Sequence, residues 1–499
     1  MRITNNMMLH NTSVNINGNK INVDTLNNQM SSQKKIQRPS DDPIIAIRAL
    51  RLRSTLSEID QYFENNIPDA EMWMDVTETA LTNMKNILKD IRTQCEYGAS
   101  DQLGADDRNA ILEQLTKLQA QVYSEGNTDY ANRTVFTGYR TNQKLTFMED
   151  DVKTSYEITQ NFKYSDIQEY RYYSGNVTIP TTKDEVEDTT AITNPQENTY
   201  DRIRLSYGEV DADPTITVEP ARAITVTSYA TLGDWEAASA DGYEIADGEA
   251  VFIQSTGELI LSESLSSDLR SDKAELSVTY TKTGFSKGEL RPEYYYNCTD
   301  ITDAANPIIY EKYDADGKEI YQDINYVVAA NQTLTVNTNA SDVFDASIGR
   351  DVDELINIVQ AAIDANKKVS DIEAMQKMEQ YASDDCQAAL EEWLAAAQKE
   401  AAYANDHMQK VYNSYIGNCD KYLEKVNLAL TDVGSKGVSL EMIKNRLSNQ
   451  QTTIETLKSK NEDRDLSDII VDYTAAYTAY QASLQAASKI NQNSLLSYL

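Results

Sequence analysis

From Leu56 to Cys95 apolar side chains return every three or four residues: Leu56, Ile59, Phe63, Ile67, Ala70, Met74, Leu81, Met84, Leu88, Ile91 and Cys95, with Thr77 on the same line. That step is helical, and a single apolar seam of this length needs a partner helix, because a long helix with one apolar stripe is not stable alone in water. Pro68 falls inside the seam. It must kink one helix or open a second, and continuation of the seam beyond it favours the kink. Further on, "GADDRNAILEQLTKLQAQVYSEGN" places Ile111, Leu115, Leu118 and Val122 on one face, starting near Asp106 or Asp107 and ending at Gly126.

A matching pattern occupies the other flank. Leu390, Leu394, Ala397, Ala401, Ala404, Met408, Val411 and Tyr415 keep the step, followed on a neighbouring stripe by Ile416, Cys419, Leu423, Val426, Leu430 and Val433. Gly434 and Gly437 loosen the pattern; Leu440, Ile443, Leu447, Ile454 and Leu457 resume it, with polar Gln450 at a seam position where it would set register.

Between the flanks the texture changes to short alternating runs such as "RAITVTSY" and "QTLTVN", separated by "DADP", "STGE" and "DADG", the pattern of strands and turns. In "PIIYEKYDADGKEIYQDI" two arms flank Asp316-Gly317, a favoured pair for a tight hairpin. Asp314 and Asp316 do not make a calcium loop: the sixth and twelfth positions from Asp314 are Glu319 and Asn325, where glycine and glutamate are needed. The expected fold is mainly α with an inserted β domain, a long antiparallel helical bundle or coiled coil built from both termini. Residues 1–40 and 462–499 would form a terminal coiled-coil domain, 41–148 and 347–461 a helical rod, and 149–346 a β-rich outer domain.

The chain has 499 residues, enough for two or three domains, and a formal net charge of −34. Such a surface repels nucleic acid and anionic lipid, so neither is an expected partner. Cys95, Cys298, Cys386 and Cys419 are too sparse for a disulfide framework and fit no metal pattern. The opening "MRITNNMMLHNTSVNINGNK" lacks the continuous apolar stretch of a cleavable signal, and no run of 18 apolar residues occurs, so export would need another route.

The stretch "RPSDDP" places Pro39, Ser40, Asp41, Asp42 and Pro43 before the first long helix. A carboxylate pair raises the thought of catalysis, but with no histidine, cysteine or glycine-rich loop nearby it reads as a helix start: a capping side chain, a proline suited to the first turn, and negative charge at the positive end of the helix dipole. Lys34, Lys35, Arg38, Arg48, Arg51 and Arg53 flank it, either as a solvated face or as contact with an acidic neighbour. His10 and His407 are far apart without ligand-like companions. No catalytic site, metal or cofactor is expected.

Nine of the first 30 residues are Asn, mixed with scattered Ile3, Met7, Val14 and Ile21, too polar to hold a helix alone. At the other end Leu466, Ile470, Tyr473, Tyr477, Tyr480, Leu484 and Ala487 share a face, followed by Leu495 and Leu496. Either the two ends pair with each other, or they order fully only against copies in an assembly. Ile3, Met7, Val14, Ile21, Tyr473, Tyr477, Tyr480, Leu484, Leu495 and Leu496 are the candidate assembly residues.

"MRITNNMM", "RPSDDP", "NRTVFTGYRTNQKLTF", "INYVVAANQTLTVNTNASDVF" and "AYQASLQAASKINQNSLLSYL", in that order, resemble the flagellin superfamily. Pro39 and Pro43 around the aspartate pair, "FTGYRT" and the closing motif look more like its hook-filament junction subunits than flagellin, the alternative. The resemblance implies a non-enzymatic structural adaptor, extracellular, exported unfolded through the flagellar type III apparatus with a chaperone on the C-terminal helix. It also implies assembly as a ring of copies between hook-associated protein 1 and flagellin.

Overall fold

The computed structural model describes residues 5–100, 103–239, 243–315 and 317–492. Four long helices precede the strands: α1 Asn5–Ser32, α2 Pro43–Asp60, α3 Ile67–Gly98 and α4 Ala105–Gly126. Three follow them: α5 Ser347–Met375, α6 Asp384–Glu462 and α7 Leu466–Gln492. Between α2 and α3 the backbone stays helical but widens into a π turn over Gln61–Asn66, closed by the Ile67 N–H donating to the Tyr62 carbonyl five residues back. The reason is Pro68: it has no N–H for the carbonyl four residues before it, and its ring crowds that carbonyl, so the ladder is rerouted. The break expected at Pro68 is thus met by a widened turn.

The chain divides into two compact units, Met1–Glu71 with Tyr326–Leu334 and Val438–Leu499, and Met72–Asn325 with Thr335–Gly437. In the second unit the seams close as their spacing requires. Met74, Thr77, Leu81, Met84, Leu88, Ile91 and Cys95 are all buried, as are Leu390, Ala397, Ala401, Met408, Val411, Tyr415, Cys419, Val426 and Val433. Thr77 is tolerated there because its hydroxyl donates to the Trp73 carbonyl at 2.8 Å. At the end of α3, a Cβ on Gly98 would stand 2.4 Å from the Tyr412 ring, so only glycine lets that phenol in.

Among the described residues, the inserted strands Asn325–Ala329 and Gln332–Thr335 pair only with each other, while ten others form two five-stranded sheets. In one, the long strand Asp151–Lys163 lies between Glu275–Phe285 and Asn297–Asp300, with Thr215–Glu219 and Ile308–Tyr310 at the edges. The other runs Gln168–Ser174, Gln196–Arg204, Glu258–Leu261, Glu249–Ile253, Thr225–Tyr229, its last pair parallel. Ile158, Ile203, Phe252, Leu259, Leu276, Val278 and Tyr280 contribute to one buried core. Around "DADG" the chain does turn tightly: Gly317 has φ +75° and donates to the Asp314 carbonyl at 3.0 Å. Asp316 lies outside the described residues. The flanking arms make a single bridge, Tyr313 to Glu319, because Ile308–Tyr310 pairs with Asn297–Asp300 instead.

One polar cluster ties the second sheet to α5 and α6. Arg202 pairs with Glu258 at 2.5 Å and with Glu354 at 2.6 Å, and Arg204 with Glu354 at 2.5 Å and with Asp351. Tyr422 and Asn418 of α6 donate to Asp351 at 2.7 and 3.0 Å. Burial alone would raise the Glu354 carboxyl, but the two guanidinium groups outweigh it and hold it at about 2. Such a cluster adds little net stability, but removing any one partner would leave the others' buried charge unpaired.

Candidate assembly surface

The two aspartates before α2 face opposite ways. Asp42, at φ −148°, caps the helix by accepting from the Ile44 and Ile45 N–H groups at 2.9 and 3.2 Å, and Pro43 takes the first position, where no N–H is needed. Asp41 closes the loop behind it, accepting from Arg38 N–H at 2.9 Å and Gln37 N–H at 3.1 Å, which lowers its carboxyl below the usual range. Pro39 and Ser40 are the middle of a turn closed by Asp41 N–H on the Arg38 carbonyl at 3.0 Å. Both carboxylates are spent on backbone, the geometry of a helix start.

The basic cluster separates into two sets. Arg53 grips Glu462 through two parallel bonds of 2.9 and 2.6 Å, Lys34 pairs with Asp463, and the Lys35 ammonium donates to the Lys460 carbonyl. Lys35 N–H donates to the Glu462 carbonyl at 2.7 Å and Arg464 N–H to that of Gln33 at 3.0 Å, so the α1–α2 connection and the α6–α7 connection are laced together. Arg53 holds the Glu462 carboxyl below its ordinary value. Arg38, Arg48 and Arg51 are exposed and take no part in this clamp.

From the clamp α1 and α7 run antiparallel, packed on each other. Along α1 the half-buried positions are Leu9, Thr12, Ile16, Asn19, Val23, Leu26 and Met30; along α7 they are Tyr473, Ala476, Tyr480, Ser483 and Ala487, behind fully buried Ile469. Both sets alternate steps of three and four, a coiled-coil seam whose polar and small members leave it thin. Among the described residues of α1 none is fully buried.

A second line on each helix is left in the open. Met7, Val14 and Ile21 on α1, and Ile470, Tyr477 and Leu484 on α7, each repeat at seven residues and are 43–58% exposed. The single α7 face read from the sequence is therefore two lines: Tyr473 and Tyr480 lie on the seam, Tyr477 and Leu484 outside it, with the Tyr473 and Tyr477 rings stacked at 6.0 Å. Ile3, Leu495 and Leu496 lie outside the described residues.

Along the last part of α6, Leu440, Ile443 and Leu447 are buried, but Gln450 and Leu457 are exposed. The seam moves instead through Gln451, whose amide donates to Asp60 at 2.8 Å. A helix of 3.6 residues per turn drifts against any fixed three-four pattern, which moved the polar position by one residue.

Comparisons with known proteins bear on the two ends. Residues 3–141 match the bacterial flagellin N-terminal helical region, and residues 416–499 match the bacterial flagellin C-terminal helical region. The two ends of this chain are thus similar to the helical regions of bacterial flagellin. Flagellar hook-associated protein 3 of Salmonella typhimurium is 28% identical over 142 residues, 28% of this chain and 44% of that protein. Its namesake in Escherichia coli is 29% identical over 114 residues, 23% of this chain and 36% of that protein. A flagellin of Clostridium tyrobutyricum is 26% identical over 132 residues, 26% and 35% of the two. The chain thus spans less than half the length of these curated relatives. Hook-associated protein 3 of Legionella pneumophila superposes over 82% of this chain and 97% of its own, at 10% identity and a TM-score of 0.31. At that score the superposition carries no argument. No helix among the described residues is long and apolar enough to cross a membrane.

Proposed function

We propose that this protein is a structural adaptor of the bacterial flagellum, joining the hook to the flagellin filament. What supports the reading most is the match of its sequence to hook-associated protein 3 from two bacteria. In this role the α1–α7 pair is the part that stacks against neighbouring subunits. Its thin seam holds the helices side by side, while the seven-residue lines through Met7, Val14 and Ile21 and through Ile470, Tyr477 and Leu484 await apolar partners. Copies form a ring that meets hook-associated protein 1 on one rim and flagellin on the other, after export from the cell with a chaperone on the C-terminal helix. The role asks for fit and stiffness, with no chemical step.

The weaker flagellin match supports a second reading, a filament subunit. Gold-labelled antibody on intact flagella separates the two. The adaptor reading expects one band where hook meets filament; label along the whole filament overturns it in favour of the second.

A further inference from the structure

The solvent face of α2 is unusual for so acidic a chain. Ile44, Ile47 and Leu50 are 64, 52 and 62% exposed, and Arg48 and Arg51 stand exposed among them. At 100° per residue the five fall within roughly 160° of arc, so they make one continuous apolar and basic face. Among the described residues neither arginine has an ion-pair partner, whereas Arg53 at the back of the same helix is fully engaged with Glu462.

α3 carries the converse. Met72 is 50% exposed, and Asp75 and Glu78, also unpaired, line a shallow depression of about 310 Å³ with Thr79, Thr82 and Asn83. Arg48 and Arg51 are three residues apart, as are Asp75 and Glu78. Each pair spans roughly 4.5 Å along its helix axis, so two charges on one face match two on the other in spacing and sign.

We propose that the α2 face of one copy docks on the α3 face of the next, Arg48 and Arg51 against Asp75 and Glu78, with Ile44, Ile47 and Leu50 covered around Met72. The occupant is a second copy because the complementary charge pair lies on the same chain. The contact is head-to-tail, because two α2 faces would set arginine against arginine. A head-to-tail contact between identical subunits repeats, closing as a ring or continuing as a helix, where a symmetric one would stop at a dimer. This rests on the adaptor reading and names the side contact that the reading leaves open.

The four native cysteines are buried, so introduced surface thiols report alone. Full-length Ile47→Cys and Met72→Cys chains are mixed at high concentration and treated with a short bis-maleimide. The mixture is expected to cross-link at least about tenfold more than either variant alone, falling as salt is added. Arg48→Glu/Arg51→Glu in one chain removes the product; Asp75→Arg/Glu78→Arg in the other restores it. No product in the mixture, or a product insensitive to the arginine reversal, overturns the pairing. The reading beneath it is judged separately: a gold band at the junction with no cross-link rejects only the contact, and label elsewhere rejects the adaptor.

Discussion

Two stretches of this chain carry the same three-four periodicity and finish in opposite states. In α3 from Met74 to Cys95 every seam position is buried. In α1, from Leu9 to Met30, every one is only half-buried, and a second apolar line stays in the open. Periodicity predicts that a helix will form against something; composition decides how much of that something the chain supplies itself. Leucine, isoleucine and methionine close the α3 seam, whereas Asn19 and Thr12 on α1 and Ser483 and Ala476 on α7 leave the terminal seam shallow.

The contrast can be broken by substitution. Leu88→Ala removes a fully buried side chain and should cost about 2–5 kcal/mol in denaturant unfolding. A loss below 1 kcal/mol (about the cost of an exposed site) would mean the α3 seam is as open as that of α1.

A second effect is a pH dependence within the second unit. His407 is buried beside Tyr170, whose hydroxyl is 3.2 Å from its ring nitrogen, with Arg171, Arg202, Glu354 and Asp406 the charged groups around it. Burial lowers it from 6.5 to about 4, so the folded protein keeps it neutral. Its contribution is complete above pH 6.5 and is lost as pH falls toward 4, about 3 kcal/mol in all. Denaturant melts across this range should show that slope, and His407→Gln should flatten it.

Smaller effects belong to the first unit. Arg53→Ala should cost about 1–2 kcal/mol, less than a buried pair because the Arg53 side chain is 56% exposed, and should loosen α7 before α2 by hydrogen exchange. Asp42→Ala should cost about 1 kcal/mol in thermal melts through loss of the α2 cap. Ile21→Ser should change monomer stability by no more than about 0.5 kcal/mol yet stop incorporation into flagella. Normal incorporation would remove the outer line of α1 from the assembly surface.

Much of this was legible beforehand. The seams, the strand-rich insert and the helix start follow from local rules: spacing, turn residues, and an aspartate before a proline. What was hidden depended on partners remote in sequence. Arg202, Glu258, Glu354 and Asp351 form one buried cluster from three separate segments, and nothing near any of them marks it. The basic cluster read as one feature because its members are neighbours in the chain, but Glu462 and Asp463, some 400 residues away, divide it into clamp and free face. The π turn could be suspected from Pro68 only in that something had to give. Tyr473 and Tyr477 sat on one stripe until the position of α1 separated them.

The claim that the α1–α7 pair is left incomplete for its neighbours is tested most directly by amide hydrogen exchange on the free chain and on the same protein within flagella. The account expects amides in residues 5–32 and 466–492 of the free chain to exchange at least about a hundredfold faster than those of 74–95, and to become protected in the assembly. Terminal helices as slow to exchange in the free chain as α3, or unchanged on assembly, would contradict it.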